Sequence, residues 1–309
     1  MDTRCVRRTS QFSICAVMAG SALVCAAQNR GNHSPVTWQS AVRDAARLAP
    51  DARIVVLDIA TGRLLASSHL AESARTLAAP GSTLKPLVLY GLVSAGRWDP
   101  ARHVACSRKL RIAGHSMNCS HPPADPMDAR AALAWSCNTY FSAVAGVLTP
   151  SEFRQVLTPT GLLAVTGLAS QEAAATFREP RTPDEIRLTV LGVEGVQVTP
   201  LELAAAYRWL ALQFASHPDS AAARVVQAGL ADSASFGMAG TAALGGVPVA
   251  GKTGTASAET GGQSHGWFVG LAPAGVPSAV VAVYLPAGHG SDAASVAAQL
   301  LAHSPLRRP

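Results

Sequence analysis

Lysine is scarce in this 309-residue sequence, and the few lysines are therefore informative. Only Lys85, Lys109 and Lys252 occur, so arginine supplies the other 22 of the 25 basic residues. A lysine amine, unlike an arginine guanidinium, loses its proton readily when it is desolvated. In a chain that otherwise uses arginine for positive charge, Lys85 and Lys252 become candidates for groups that do chemistry.

Other features are missing as well. Aromatic residues make up only 5% of the chain, so the core must be built mainly from aliphatic side chains. The formal charge is +6, but the basic residues form no run or stripe, which argues against a nucleic-acid partner. No internal repeat is visible, and beyond the N-terminal region no apolar run is long enough to cross a membrane.

The N-terminus has the pattern of an export signal. Three arginines within the first eight residues precede an apolar stretch at residues 13–27. We therefore predict a signal peptide or N-terminal anchor at residues 1–27, a tether at 28–36 and one domain at 37–309. Lipidation at Cys25 is a further alternative. The protein is expected to be exported, to the periplasm or the outer face of the cytoplasmic membrane.

Three of the six cysteines lie in this leader, and Cys106, Cys119 and Cys137 remain. Cys106 and Cys119 bracket a short alternating run with a turn-like centre, so we predict a disulfide between them. A zinc site using these two thiols with His115 or His121 is the alternative, but its spacing matches no common ligand pattern. We expect no metal and no cofactor, and we expect Cys137 to be a small buried residue.

The predicted strands lie towards the two ends of the chain. Five β-prone runs occur at residues 54–58, 63–66, 247–255, 265–271 and 278–284. Helical patterns occur at residues 38–48, 82–94, 201–215 and 291–303, and the stretch from 101 to 200 has the pattern of loops and helices. The sequence therefore predicts an α+β fold. Its antiparallel sheet is built from the N- and C-terminal segments and flanked by helices, with an inserted all-helical lobe.

One segment combines a turn, a helix start and two reactive groups. Pro80 and Gly81 punctuate the chain, and Ser82 then predicts the first turn of a helix. At helical spacing Ser82 and Lys85 lie on one face, which places a hydroxyl beside an amine. An isolated S-x-x-K is more often a capped helix with a surface lysine, so the rest of the chain must decide its meaning.

Three short motifs follow one another along the chain. They are S-x-x-K at Ser82–Lys85, S-x-N at Ser136–Asn138 and K-T-G at Lys252–Gly254. In this order, and with flanks such as A-W-S-C-N-T-Y-F and G-K-T-G-T-A, they resemble the penicillin-binding proteins and serine β-lactamases. The closest likeness is to the transpeptidase domain of high-molecular-mass penicillin-binding proteins, and it covers about residues 54–301.

The resemblance implies a β-lactamase/transpeptidase-like fold and a role for each motif residue. Ser82 would be the nucleophile and Lys85 its base, made neutral by burial or by a second cation, Lys252. Ser136 would relay a proton to the leaving amine. Asn138 would orient Lys85 and hold the substrate amide.

The same resemblance assigns the binding groups. The backbone N–H groups of Ser82 and Thr255 would form the oxyanion hole. Lys252, Thr253, Gly254 and Thr255 would bind the substrate, with the lysine and the two threonine hydroxyls on its terminal carboxylate. The glycine-rich stretch at residues 192–195 departs from the family pattern, which puts substrate contacts there in doubt.

The implied activity is that of an active-site-serine D,D-transpeptidase. It would act on D-Ala-D-Ala peptidoglycan stem peptides and be acylated by β-lactam antibiotics. A D,D-carboxypeptidase, a serine β-lactamase and a non-catalytic peptidoglycan- or partner-binding module are the alternatives. The β-lactamase is disfavoured, since no glutamate between the second and third motifs has the class A context. Only a leader and tether are expected before the domain, so a glycosyltransferase or another cell-wall assembly protein is the expected kind of partner.

Overall fold

The computed structural model describes residues 36–124, 126–257 and 262–307. The predicted signal peptide, and the predicted tether except for its last residue, lie outside this range. The α-helices are α1 Trp38–Leu48, α2 Leu70–Arg75, α3 Lys85–Ser94, α4 Ala129–Ala134, α5 Asn138–Ala145, α6 Pro150–Leu157, α7 Pro183–Val190, α8 Pro200–Ser216, α9 Ala221–Ser235 and α10 Gly290–Ala302. The strands are β1 Arg53–Asp58, β2 Leu64–Ser67, β3 Arg111–Ile112, β4 His115–Ser116, β5 Thr176–Phe177, β6 Val196–Gln197, β7 Ala250–Ser257, β8 Ser264–Ala272 and β9 Ala279–Leu285.

The main sheet has five antiparallel strands in the order β2-β1-β9-β8-β7. The first two strands come from the N-terminal part of the chain and the other three from the C-terminal part. The two early strands and the three late strands predicted from the sequence are confirmed. Strand β7, which carries the K-T-G motif, lies at the edge of the sheet, so only one of its sides is paired within it.

Each face of the sheet contributes to a different part of the core. Side chains alternate along β1, so that Ile54 and Val56 pack with α1 and α10, whereas Val55 and Leu57 pack with the helices of the inserted lobe. All four side chains are buried. The core therefore covers both faces of the sheet. Its side chains are mostly aliphatic, as the low aromatic content of the sequence predicts.

Helix α8 illustrates how local sequence sets an element boundary. Thr199 is its N-cap, Pro200 is its first residue, and Glu202 completes a capping box by accepting from the Thr199 N–H at 2.8 Å. The second carboxylate oxygen of Glu202 accepts from the Ala175 N–H at 2.6 Å. Burial raises the pKa of Glu202, while these hydrogen bonds act in the opposite direction. The helix predicted at residues 201–215 is confirmed, and its cap places the start one residue earlier.

The predicted fold class is confirmed, with two additions. The inserted lobe also contains two two-stranded sheets, β3-β4 and β5-β6. Helix α9 was not predicted, although Ser220 caps it and Ala222, Val226 and Leu230 recur at helical spacing on its buried face. Within the described ranges, no helix combines the length and apolar character that crossing a membrane requires.

Candidate active site

Ser82 lies in a single turn of 3₁₀-helix, Gly81–Leu84, that leads directly into α3. The predicted α-helix therefore begins at Lys85, three residues later than expected. The Thr83 hydroxyl and backbone N–H both donate to Pro80 O, at 2.6 and 3.3 Å, and this closes the tighter i to i+3 turn. Residues three apart eclipse each other in a 3₁₀-helix, so Ser82 and Lys85 still share a face.

The turn before Ser82 is held by groups from two distant segments. The Gly81 N–H donates to Gly192 O at 2.8 Å. Both Trp267 Nε1 and His265 Nε2 lie within hydrogen-bonding distance of Ala79 O, at 2.9 and 2.8 Å. Because a carbonyl only accepts, the Nε2 atom of His265 carries a proton, and burial lowers the pKa of this histidine. His265 and Trp267 thus serve to position the turn.

The S-x-N motif occupies the break between α4 and α5. Ser136 has a φ of +55°, a left-handed conformation that is uncommon for a residue with a side chain. Asn138 begins α5. This turn presents the Ser136 carbonyl, the Ser136 hydroxyl and the Asn138 side chain to Lys85, so the strained residue lies where the motif contacts its partner.

Lys85 is buried, and its amine donates hydrogen bonds to the S-x-N motif. Its Nζ donates to Ser136 O at 2.9 Å, to Ser136 Oγ at 3.3 Å and to Asn138 Oδ1 at 2.6 Å. These three contacts account for the three protons of an ammonium group, and none of them is made to Ser82. The predicted orientation of Lys85 by Asn138 is therefore present. The base role additionally needs a neutral amine.

Lys252 approaches the same hydroxyl from β7. Its Nζ donates to Ser136 Oγ at 2.8 Å and to Thr253 O at 3.1 Å, and its side chain is buried. Ser136 Oγ thus lies between two lysine amines. The structure brings together residues that are 51 and 116 positions apart in the chain.

Burial sets the protonation of this lysine pair. Removal from water lowers the pKa of Lys85 to about 8, although the neighbouring Cys137 and Cys119 act in the opposite direction. Burial also lowers the pKa of Lys252 well below its ordinary value, and the charge of Lys85 lowers it further. Two positive charges around one hydroxyl in a desolvated site are unfavourable, so the pair favours losing a proton.

Glycines allow β7 to lie directly against the Ser82 turn. A Cβ on Gly254 would lie 2.6 Å from Pro80 O, closer than such atoms approach. A Cβ on Gly81 would lie 3.0 Å from Thr255 N and 2.9 Å from Thr255 O. The backbone of Thr255 therefore faces the turn that holds Ser82, as a shared oxyanion hole requires.

The two threonine hydroxyls of β7 have different roles available. Thr253 Oγ1 donates to Met238 O at 3.4 Å, so its proton is used within the protein. Thr255 Oγ1 accepts from the Gly290 N–H at 2.9 Å, and among the described residues no acceptor for its own proton is found. The side chain of Thr255 is the better of the two for a carboxylate.

A small cavity joins these groups. Its volume is about 160 Å³, and its lining includes residues of all three motifs: Ser82, Asn118, Cys119, Ser120, Ser136, Asn138, Met238, Thr253, Gly254 and Thr255. No carboxylate is among the described residues that line it. Cavities of about 720 and 790 Å³ lie elsewhere, but no motif residue lines them. Asn118, Ser120 and Met238 also line the cavity, and they could not be predicted because they come from segments with no distinguishing sequence pattern.

The structure does not contain the predicted Cys106–Cys119 disulfide, because Cys119 is a free thiol. Cys119 Sγ lies 3.8 Å from Cys137 Sγ, a contact distance that is well beyond the S–S bond length of about 2 Å. Cys119 Sγ also accepts from the Asn138 N–H at 3.2 Å. The fold brings Cys106, Cys119, Cys137 and His121 together in one cluster, so the site contains a third thiol and an imidazole besides the two predicted cysteines.

Comparison with known proteins agrees with this geometry. The profile of the family described as "Penicillin binding protein transpeptidase domain" matches residues 52–303. The chain belongs to the penicillin-binding protein transpeptidase family. Comparison with curated proteins gives no match.

Two solved structures have the same fold as this penicillin-binding transpeptidase domain. One is the transpeptidase domain of Burkholderia pseudomallei penicillin-binding protein 3, with a TM-score of 0.73 and 22% identity, covering 85% of this chain and 91% of that one. The other is a Burkholderia ambifaria protein described as a peptidoglycan glycosyltransferase, with a TM-score of 0.72 and 22% identity, covering 85% of this chain and 92% of that one. At this level of identity the likeness concerns the fold.

Proposed function

We propose that this chain is an exported D,D-transpeptidase that forms an acyl-enzyme on Ser82 with D-Ala-D-Ala peptidoglycan stem peptides and with β-lactams. The observation that carries the proposal is the position of Ser136 Oγ, 3.3 Å from Lys85 Nζ and 2.8 Å from Lys252 Nζ, in the cavity that Ser82 lines. A module that only bound peptidoglycan would have no need of two buried lysines around one hydroxyl. Family membership supports the same acyl-transfer chemistry.

The acylation step uses Ser82 and a neutral Lys85. Ser82 Oγ attacks the carbonyl carbon of the penultimate D-alanine, and its proton passes to the Lys85 amine. The C–O bond forms as the carbonyl π electrons move to the oxygen. The backbone N–H groups of Ser82 and Thr255 stabilise that oxyanion, and one such donor lowers the barrier by about 3 kcal/mol.

The leaving group departs as an amine. The C–N bond breaks, and Ser136 delivers a proton to the nitrogen while Lys85 or Lys252 resupplies the Ser136 hydroxyl. With a stem peptide the terminal D-alanine leaves. With a β-lactam the opened ring stays attached to Ser82. In the acyl-enzyme formed from a stem peptide, an amine of a second stem peptide attacks the ester carbonyl and forms a C–N bond. The C–O bond to Ser82 breaks, and a proton from the amine passes by way of Lys85 to Ser82 Oγ.

A fluorescent penicillin tests the acylation proposal. The full chain is expected to carry a covalent label that survives denaturation, and Ser82→Ala is expected to carry none. Ser94→Ala is the matched control, because Ser94 is an exposed serine at the other end of α3. Absence of label on the wild type, or a label that persists in Ser82→Ala, would contradict the proposal.

Product analysis distinguishes the proposed transpeptidase from its alternatives. With a D-Ala-D-Ala peptide and an added amine acceptor, we expect the cross-linked product to exceed the hydrolysed one. Hydrolysis alone, even with excess acceptor, would identify a D,D-carboxypeptidase. Rapid turnover of the penicillin label would identify a β-lactamase, which the lack of a carboxylate among the described cavity residues disfavours.

The location and partner of the enzyme form part of the proposal. The basic and apolar N-terminal pattern supports export to the periplasm or to the outer face of the cytoplasmic membrane. A glycosyltransferase or other cell-wall assembly protein would supply the glycan strands. Fusion of a reporter that is active only after export would test the first point, since an inactive fusion would contradict it.

A further inference from the structure

Three cysteines and a histidine converge beside the S-x-N motif. One ligand atom from each of Cys106, Cys119, His121 and Cys137 can be chosen so that all four lie within 4.8 Å of one another. Cys106 is half-buried and the other three residues are buried. The residues belong to the loop at 106–121 and to the turn between α4 and α5, so the tertiary fold creates the cluster.

Two distances within the cluster match the edges of a zinc tetrahedron, and the four ligand atoms all lie within 4.8 Å of one another. With Zn–S bonds of about 2.3 Å and Zn–N bonds of about 2.0–2.1 Å, the edges are about 3.8 Å between two sulfurs and about 3.5 Å between sulfur and nitrogen. Cys119 Sγ lies 3.8 Å from Cys137 Sγ. Cys106 Sγ lies 3.5 Å from His121 Nε2. Four ligands of the zinc-preferring type are therefore spaced for one ion.

The surroundings of the cluster hold the ligands in the state that a metal needs. His121 Nδ1 lies 2.6 Å from Pro122 O, which can only accept, so Nδ1 carries the proton and the Nε2 lone pair faces the sulfurs. The Asn138 N–H donates to Cys119 Sγ at 3.2 Å. Thr139 Oγ1 lies 3.7 and 3.8 Å from the sulfurs of Cys106 and Cys119. The Asn138 N–H is a donor of the kind that stabilises a thiolate on Cys119, whereas Cys106 Sγ donates to the Thr139 hydroxyl in this structure and would lose that proton on binding a metal.

We propose that Cys106, Cys119, His121 and Cys137 bind one zinc ion as a closed, four-coordinate structural site. This replaces our expectation that the chain holds no metal. Binding is a ligand exchange in which hydrated Zn²⁺ forms three Zn–S bonds and one Zn–N bond, while its Zn–O bonds to water and the three S–H bonds break and the water molecules and three protons leave to solvent. No electron is transferred. All four positions of the ion are filled by protein, so it has no open position for substrate.

The proposed ion would act by positioning the S-x-N motif. Cys137 lies between Ser136 and Asn138, the two residues that contact Lys85. Asn138 Nδ2 also donates to Met117 O at 3.1 Å, in the loop that carries Cys119. A metal that ties this loop to Cys137 holds Ser136 and Asn138 towards Lys85. Its removal is expected to slow acylation of Ser82 at least tenfold while leaving Ser82, Lys85, Ser136, Asn138 and Lys252 chemically unchanged.

Metal content of the full chain tests the proposal directly. Protein purified in reducing buffer without chelator is expected to contain one zinc ion per chain, as measured by inductively coupled plasma mass spectrometry. Replacement by Co²⁺ is expected to produce the sulfur-to-cobalt charge-transfer absorption of a tetrahedral thiolate site. Cys119→Ser and His121→Ala are expected to lose the zinc. His115→Ala is the matched control and is expected to keep it, because His115 lies in the same loop but is half exposed and pairs with Glu194 at 2.9 Å.

Two results would overturn the proposal. One is wild-type protein that retains no zinc and shows no charge-transfer band with one equivalent of Co²⁺. The other is a disulfide among Cys106, Cys119 and Cys137 in peptide maps of freshly isolated protein. Both are measured on the wild type, so a variant that fails to fold does not affect them. Ser82→Ala is expected to keep its zinc although it cannot be acylated, which separates this test from that of the proposed function.

Discussion

Lys85 and Lys252 donate to the same atom, Ser136 Oγ, at 3.3 and 2.8 Å. The two lysines lie on α3 and β7, and the hydroxyl between them lies on the turn that precedes α5. Because both amines are buried, neither can rely on water to stabilise its charge. Ser136 Oγ is hydrogen-bonded to both amines, so it offers a path for a proton between the helix and the sheet edge.

Replacement of Ser136 by alanine tests this shared contact. Ser136→Ala leaves both amines without the hydroxyl, and we expect the second-order rate of acylation by a fluorescent penicillin to fall by about 10²–10⁴-fold, the usual contribution of a proton-transfer group. Ser235→Ala, an exposed serine at the end of α9, is expected to react as the wild type does. An unchanged rate in Ser136→Ala would show that protons do not pass through this residue.

The lowered pKa of Lys85 predicts how acylation depends on pH. The neutral amine becomes the main form only above about 8, so the acylation rate is expected to rise about tenfold per pH unit below 8 and to level off above it. The unfolded chain keeps its proton up to the ordinary value of 10.5, so this group also makes folding stability increase between about 8 and 10.5. A rate that is flat from pH 6 to 9 would exclude Lys85 as the base.

Substitutions at two glycines can distinguish the cost of backbone strain from the cost of a steric clash with the active-site turn. Gly192 and Gly167 have φ values of +72° and +74°, but a Cβ on Gly192 would lie 2.1 Å from Gly81 O, whereas a Cβ on Gly167 would meet nothing within 4 Å. Gly167→Ala is expected to lower the free energy of unfolding by about 1–2 kcal/mol through its conformation alone. Gly192→Ala is expected to lower it by a further 1–3 kcal/mol or so, the usual cost of overpacking.

Urea unfolding and penicillin labelling of the two glycine variants provide the measurement. Gly192→Ala is also expected to label slowly, because the displaced backbone carries Ser82, while Gly167→Ala is expected to label at the wild-type rate. Equal losses of stability in both variants would show that the close approach of Gly192 to Gly81 is not important.

The shared acceptor Ala79 O predicts non-additive effects of its two donors. Trp267→Phe and His265→Phe each remove one hydrogen bond to Ala79 O and leave the other. We expect the loss of that hydrogen bond to lower the free energy of unfolding by about 0.5–1.5 kcal/mol in each variant. The double variant leaves this carbonyl unsatisfied next to Pro80, and its loss is expected to exceed the sum of the two. Urea unfolding of all four proteins measures the coupling, and simple additivity would contradict it.

Much of the fold could be predicted from the sequence because its signals are local. The Thr199 cap, Pro200 and Glu202 define the start of α8 within four residues. The β-branched runs define β1 and β9, and the alternation along β1 selects its two faces. Capping and side-chain alternation act between residues close in the chain, so they can be predicted without the tertiary structure.

The predictions that needed correction depend on contacts between residues that are distant in the chain, which local patterns do not encode. The Ser82 turn is tightened to a 3₁₀-helix by the Thr83 hydrogen bonds to Pro80 O, within a backbone that Gly192 and Thr255 approach from far away in the chain. The spacing of Cys106 and Cys119 suggested a pair. Only the position of the α4–α5 turn brings Cys137 to the same place.

The sequence by itself determined the five strands of the main sheet, the helices α1, α8 and α10, and the order of the three motifs that carry Ser82, Lys85 and Lys252. Only the tertiary structure decided that Ser136 Oγ lies between two buried amines, and that three thiols and an imidazole meet beside it. The physical reason is that these contacts join residues up to 116 positions apart. Packing of the sheet against the inserted lobe, which no local pattern encodes, creates them.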